Sequence, residues 1–309
     1  RATTIRNAAN EGTVIGGSDK VGGIAGYIDG GNVINAYNTG YIAGKDYVGG
    51  IVGNLRLGNV INAYNTGYIS GRNSVGGIVG NTIGTVIIEN VYNTAKVGGN
   101  VAVGAIAGGL DGHLQLAHAV WSEGSLEAAY DGLQHYDNDV VLRTAEEMKR
   151  ASTYAGWKAA DGTPAVAAEG GKGKPWRIYE GQTMPLLTGL MQGVKYVASS
   201  SKVYDGKGET FGGDPHLHLN AEKHVGTYHF YSDQLGYDII GGAYTITPKK
   251  VTVKLKPDAQ FNKVYDGTTE VKQTLSKDEN YTLTDFVADE GDGIRLVSVT
   301  GTYAHKNCA

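Results

Sequence analysis

Short apolar runs punctuated by Asn and Gly fill the first part of the chain, and they recur. Residues 32–53 read NVINAYNTGYIAGKDYVGGIVG and residues 59–80 read NVINAYNTGYISGRNSVGGIVG, identical at 18 of 22 positions with an offset of 27. Weaker copies flank the pair, IRNAANEGTV…VGGIAG before it and IIENVYNTAKV…VGAIAG after it, each offset by 28. The runs are too short for the i, i+3, i+4 stripe of an amphipathic helix. Three strand-like pieces per copy fit the spacing of Gly and Asn. A repeat of this length predicts an all-β fold, a β-solenoid with one copy per coil and coils about 4.8 Å apart. About four coils of 27–28 residues are expected over residues 1–132, with a fifth decaying at Leu116, His118, Val120 and Trp121.

Comparing copies slot by slot separates inside from outside. The slot of Ile5, Val33, Val60 and Ile88 is always aliphatic, whereas the next one, Arg6, Ile34, Ile61 and Glu89, must tolerate water. Period 2 then places the aliphatic, the Asn slot (Asn7, Asn35, Asn62, Asn90) and the Tyr slot (Ala9, Tyr37, Tyr64, Tyr92) on one inner face. After a corner at Asn38-Thr39-Gly40, Tyr41 and Tyr68 share a slot with Thr13 and Lys96 and point outward. Ile42, Ile69 and Val97 point inward. Equivalent side chains should stack as ladders: Asn35/Asn62/Asn90, Asn38/Asn65/Asn93, Tyr37/Tyr64/Tyr92, Val48/Val75 and Ile51/Ile78. The Asn ladders can satisfy backbone groups at the corners. One straight strand cannot bury both Val48 and Ile51, which predicts a bend at Gly49-Gly50.

The chain then changes character. All six prolines lie beyond residue 163, and 14 of the 19 asparagines fall within the first 100 residues, so two different objects join near residue 190. Residues 133–190 read as a cap for the solenoid. Thr144 followed by Glu147 is a capping-box start for a short helix, and Trp157, Trp176, Leu186 and Leu187 supply the bulk to close the open end of the core. Beyond them, KVYDGKGETF at 202–211 recurs as KVYDGTTEVK at 263–272. Asp-Gly after alternating Val-Tyr predicts a tight turn, and the strand AYTITPKKVTVKLKP is interrupted by Pro248. Two small β modules are expected, 191–248 and 249–309, each β-grasp-like or immunoglobulin-like. The second stops short of the first module's length, and the opening at Arg1 without a signal peptide points to a processed or excised segment.

These residues carry a family resemblance. The VGGIVG-centred repeats preceded by NAYNTG resemble the GLUG motif of bacterial surface proteins. Met148-Lys149, Gly156-Trp157, Trp176-Arg177-Ile178 and Glu180-Gly181…Pro185-Leu186-Leu187 resemble the segment that closes such repeats. The KVYDG segments and the AYTITPKK strand are similar to the YDG and MBG-type modules of large Gram-negative adhesins. Both motif types occur together in filamentous-haemagglutinin-like exoproteins exported by two-partner secretion. The resemblance covers nearly the whole chain. It implies a secreted, surface-held, non-enzymatic adhesin segment. Its partners would be a host-cell or matrix glycan or protein, a neighbouring bacterial surface, and an outer-membrane secretion partner for the full-length protein. The family's amino-terminal secretion domain is not among these residues.

Charge and composition narrow the chemistry. The 27 basic residues against 31 acidic ones argue against nucleic-acid binding and a polybasic membrane anchor. No run approaches 18 apolar residues, so no membrane-inserting helix is expected. The single Cys308 rules out a disulfide scaffold and reads as an incidental buried thiol. VGGIVG lacks the Lys-Ser/Thr of a phosphate loop, and no histidine falls in HExxH, so neither a cofactor nor a metalloprotease centre is implied. His216 and His218, two apart with Asp214 nearby, could hold a metal, although an exposed polar strand face accounts for them better. Asp137 and Asp139 offer calcium-type oxygens without a complete EF-hand pattern. Lys45, Asp46, Arg56 and Arg72 form no repeated carboxylate pair of the kind a glycoside hydrolase needs, so no enzyme is expected, with an accessory region of a secreted enzyme whose catalytic domain lies elsewhere as an alternative. Tyr41 and Tyr68 remain as a stacked aromatic face for a sugar or partner protein, with simple cross-strand packing as the plainer alternative.

Overall fold

The chain is nearly all β, and its first part is a parallel β-solenoid of about four turns. The computed structural model describes residues 3–126, 140–259, 268, 270–273, 279–287 and 299–302. Asp137, Asp139, Cys308 and the second KVYDG turn at 263–267 lie outside the described residues. Among the described residues no helix is long and apolar enough to cross a membrane.

Each coil contributes to a set of parallel ladders. Thr4–Asn10, Asn32–Asn38, Asn59–Asn65, Val79–Asn93 and Ala107–Ser122 stack in order, followed by Val140–Arg143. Val14–Ile15, Ile42–Ala43, Ile69–Ser70 and Val97–Gly98 form the next wall. Val21–Gly22, Asp46–Gly49, Asn73–Gly76 and Val101–Gly104 form the third. Ala25–Asp29 and Val52–Arg56 complete the coil by pairing onto the first half of Val79–Asn93. The register matches like with like, Val33 to Val60, Ile42 to Ile69 and Val48 to Val75.

Two apolar compartments fill the coils. Val33, Ala36, Ile51, Val52 and Leu55 with their equivalents make one, and Val21, Ile42, Val48, Ile69, Val75 and Val97 make the other. The chain turns at Gly50-Ile51, between Asp46–Gly49 and Val52–Arg56, so Val48 and Ile51 are both fully buried. Ile78 is buried in the same way at the equivalent turn of the next coil. The Ile51/Ile78 ladder therefore differs from the Val48/Val75 one: its residues sit in the corners between strands and are not strand rungs. Backbone bonds join these corners even so. Ile51 N–H donates to Ile78 O at 2.9 Å, and Ile78 N–H donates to Ile106 O at 2.8 Å.

The Asn38 slot is inside as well. Nδ2 of Asn10, Asn38 and Asn65 donates to Oδ1 of the next Asn at 2.6, 2.7 and 2.8 Å. Each of these amides, and that of Asn93, also donates to the backbone carbonyl two residues on, at 2.8–2.9 Å. Glycine makes room for them: a Cβ at Gly50 would lie 2.1 Å from Gly77 O and 2.7 Å from Asn65 Cγ.

Strict alternation fails at Asn35. Asn7, Asn35, Asn62 and Asn90 all have φ of 52–57°, the left-handed conformation that Asn tolerates better than most residues. The bend returns Ala36 to the core beside Val33 and turns Tyr37 out of it. The Asn35 and Tyr37 ladders therefore line an outer flank of the coils, not their interior. They are buried because another segment covers them: Tyr37, Tyr64 and Tyr92 cluster with Met148, Tyr154, Trp157, Trp176 and Leu187.

The segment expected to plug the open end is that cover. Trp176 Nε1 donates to Asn62 Oδ1 at 3.1 Å, Asn90 Nδ2 to Lys158 O at 2.7 Å, and Tyr92 Oη to Pro185 O at 2.9 Å. Residues 144–190 thus run as a brace along the flank. The last coil is filled by Trp121 and Val140, which lie in the main core. The capping box forms, with Glu147 N–H donating to Thr144 Oγ1 at 3.2 Å and Thr144 N–H to Glu147 Oε2 at 2.9 Å. It opens two 3-10 turns, Glu147–Lys149 and Ala151–Tyr154, in place of a regular helix.

No clean boundary falls at residue 190. Residues 191–197, 213–218 and 231–241 belong to the first compact unit with the solenoid. Within that unit Val194–Val197 pairs with Asp238–Gly241, and Leu217–His218 with Tyr231–Ser232. The second unit comprises 198–212, 219–230 and 242–309. There Ala243–Thr247 pairs in parallel with Ser200–Val203 and antiparallel with Gly226–His229. The Asp205-Gly206 turn forms, with Lys207 N–H donating to Asp205 Oδ1 at 3.0 Å, but the flanking strands pair elsewhere and make no hairpin.

All three tryptophans lie in the first unit, so their fluorescence follows its unfolding alone. Asn65→Ala strands buried ladder partners and is expected to cost about 3 kcal/mol in urea unfolding, whereas Asn32→Ala, in a half-buried Asn32–Asn59 pair, should cost under about 1 kcal/mol. Equal losses would refute a special role for the inner ladder.

Candidate functional site

Ile42 and Ile69 are fully buried and directly paired, so alternation turns the preceding Tyr41 and Tyr68 to solvent. Their rings stack at 5.6 Å between centroids and 10° between planes, with the residues 37% and 44% exposed. The stack is two deep. Register places Thr13 before it and Lys96 after it. The hydroxyl end of Tyr68 rests against the next coil, where a Cβ on Gly98 would lie 2.8 Å away. Each ring has one face without an aromatic neighbour, that of Tyr41 on the Thr13 side and that of Tyr68 on the Lys96 side. A flat apolar face of this kind suits the C–H face of a sugar or a partner's side chain.

The other ladders cannot serve in this way. Val48, Val75, Ile51 and Ile78 are wholly enclosed by the coils and present nothing to a ligand. Tyr37, Tyr64 and Tyr92 stack at 5.0 and 4.9 Å, and Trp176 tilts against the last two at 6.2 and 5.9 Å. Their hydroxyls are committed to Glu11, Gln234 and Pro185 O. Burial drives all three phenols well above their ordinary pKa, helped at Tyr37 by the Glu11 carboxylate. They are neutral structural groups.

His216 and His218 do come together with a carboxylate, but it is Asp233. His216 Nδ1 lies 3.0 Å from both Asp233 oxygens, and His218 Nε2 lies 3.3 Å from Oδ2. Asp214 instead accepts from Lys195 Nζ at 2.5 Å and from the His216 N–H at 3.0 Å. Among the described residues no three His, Cys, Asp or Glu groups are arranged to hold a metal ion. Asp233 works as a hydrogen-bond hub: Oδ1 also accepts from Leu235 N–H at 2.9 Å. This fixes the turn that delivers Gln234, whose amide grips Leu187 N–H and C=O at 2.7 and 2.9 Å. Sequence spacing points to Asp214; Asp233 comes from the partner strand's end and carries no local signal.

Arg56 and Arg72 are likewise paired one coil apart, with Asp29 at 2.7 Å and with Asp46 at 2.8 Å. They form salt-bridge rungs and converge on no common point. Comparison with protein-family profiles, with curated proteins and with solved structures finds nothing that matches this chain. The functional reading therefore rests on the chain's own residues.

Burial works to raise the Asp233 pKa, but the hydrogen bonds from His216 and His218 outweigh it and leave the carboxyl below its ordinary value. A carboxylate depressed in the fold stabilises fully above its unfolded pKa of about 4, and that contribution is lost as pH falls through the lower folded value. Thermal unfolding of wild type and Asp233→Asn should therefore differ above about pH 4 and converge as the solution is acidified further. A gap that held constant or widened with acid would remove Asp233 from this role.

Proposed function

We propose that this chain is a segment of a secreted bacterial surface adhesin, a non-catalytic rigid stalk or binding surface for attachment. The observation that carries the reading is the unbroken run of inner Asn bonds from Asn10 to Asn93, laid alongside the aliphatic core and braced on one flank. Such a ladder fixes the spacing of every coil to its neighbour, and stiffness along the repeat axis is what a stalk needs. The motif resemblance supports the same reading. It assigns host-cell or matrix glycans and proteins, or a neighbouring bacterial surface, as partners, with an outer-membrane partner for export of the full-length protein.

The exposed Tyr41–Tyr68 stack favours a second reading, a glycan-binding module that uses the outer face of the solenoid. The test is display of the full chain on a non-adherent bacterium, with retention on glycan- and matrix-coated surfaces measured under flow. Attachment predicts retention above an empty-display control. The glycan-face reading predicts that Tyr41→Ala with Tyr68→Ala weakens it about tenfold or more, as loss of an aromatic anchor does. Retention unchanged in the double variant would put the binding surface elsewhere on the chain and remove the tyrosine face. No retention on any surface would overturn a direct role in attachment.

A further inference from the structure

Away from the tyrosine stack, a polar cleft opens on the flank where the third and fourth walls of the coil meet. In register, its slot reads Tyr27, Asn54, Asn81 and Gly109 from coil to coil. At the last rung the side chain is missing. A Cβ on Gly109 would lie 2.4 Å from Asn81 Oδ1 and 2.5 Å from Ser74 Oγ, so both oxygens turn into the space glycine leaves. The cleft is about 410 Å³ and is walled further by Tyr47, Leu110 and Asp111. That volume falls within the roughly 300–1,000 Å³ range of small-molecule sites.

The asparagines here differ from those of the inner ladder. Asn38, Asn65 and Asn93 are each bonded to a neighbouring rung and a carbonyl, which accounts for their burial. Asn81 is only 7% exposed, yet its amide makes no hydrogen bond among the described residues. One rung earlier, Asn54 is 3% exposed and its Oδ1 has no partner. Buried polar groups are normally satisfied, so Asn54 Oδ1 calls for a physical explanation, whereas the uncommitted Asn81 amide lines the open cleft itself. Left-handed backbone at Tyr47, Ser74 and Ala102, with φ of 57°, 52° and 54°, shapes the opposite wall.

We propose that this cleft binds a neutral saccharide unit. The Asn81 amide, the Ser74 hydroxyl and the Asp111 carboxylate together offer donors and acceptors suited to adjacent sugar hydroxyls, which need both. Tyr47 and Leu110 supply apolar surface for the C–H face. Among the described residues Asp111 is the only charged one lining the cleft, so an anionic sugar is disfavoured. The inference is independent of the adhesion reading, since it needs neither the outer tyrosines nor any surface attachment.

The test is saturation-transfer NMR on the full chain with methyl glycosides of glucose, galactose, mannose and N-acetylglucosamine. Methyl glucuronide and glucosamine serve as anionic and cationic controls. At least one neutral glycoside is expected to bind saturably, and Asn81→Ala and Asp111→Asn should each weaken it about tenfold, the value of one lost hydrogen bond in a partly dry site. Gly109→Ala, which fills the gap, should abolish it, and Tyr41→Ala with Tyr68→Ala should leave it unchanged. Asp111 is exposed, so its variant keeps the test valid should Asn81→Ala fail to fold. Binding to none of the neutral glycosides, preference for a charged control, or indifference to both substitutions would overturn the proposal.

Discussion

The interaction on which the rest of the solenoid depends is the double commitment of one buried amide per coil. Asn38 Nδ2 donates to Gly40 O, closing its own corner, and to Asn65 Oδ1, tying that corner to the next coil. A carbonyl at a buried corner without such a partner would cost about 1–3 kcal/mol, and the corner recurs in every turn. The amide needs space, which explains why glycine stands opposite it at Gly23, Gly50 and Gly77, where any side chain would strike the Asn or the backbone. These three glycines thus follow from the ladder. So does the tight repeat length, because one amide can meet the next only if each coil returns to the same register.

A second consequence follows from the left-handed Asn35 slot. By turning Tyr37 and its equivalents outward, it creates an aromatic stripe that would be unstable in water if left bare. Residues 144–190 cover it, and pieces from beyond residue 190 hold the cover in place. Gln234 pairs with the Leu187 backbone as a strand would. Arg177, almost wholly buried, stacks over Tyr179 at 4.0 Å, gives its guanidinium to Ala168 O and Ile178 O, and lies 3.2 Å from Asp238. Burial pulls its pKa down while Tyr179 and Asp238 oppose that pull, so the ion stays tolerable only while all of these partners are in place. Losing one would strand a buried charge. This explains why 231–241 belongs with the solenoid despite its distance along the chain.

The repeat is legible in the sequence because identical slots face identical surroundings. The aliphatic slots, the outward Tyr41 and Tyr68, the Asn38 ladder and a bend beside Gly50 all follow from comparing copies, although the turn falls at Gly50-Ile51, one residue later than Gly49-Gly50. Burial of Ile51 and Ile78 follows too, although whether they stand in a strand or in the corner beside it does not. The handedness of a bend is not visible in this way. Asn35 and Asn38 are both asparagine in nearly every coil, yet only the first is left-handed, so period 2 carries Tyr37 to the wrong side. The bend at Lys20, Tyr47, Ser74 and Ala102 is less legible still, since its residue type changes in every copy. Misplacing the tyrosine ladder hides the role of Trp157 and Trp176. Their bulk predicts a plug, because alternation assigns the surface they cover to the interior. Asp233 and the Gly109 cleft depend on register and on long-range pairing, which spacing along one strand does not reveal.

The flanks of a repeating coil are equivalent only in backbone. The brace removes one from solvent altogether, so no ligand can reach the Tyr37 ladder without displacing Trp176 and Leu187. Interaction is left to the faces where a ladder breaks its own pattern. Tyr41 and Tyr68 break theirs by standing between Thr13 and Lys96, and Gly109 breaks the Asn54–Asn81 run by omitting a side chain. A perfect ladder satisfies itself internally and has nothing to offer a partner. Irregular rungs leave a ring face or an amide uncommitted, and these are the positions at which a rigid scaffold can acquire recognition without loss of the bonds that hold its coils together.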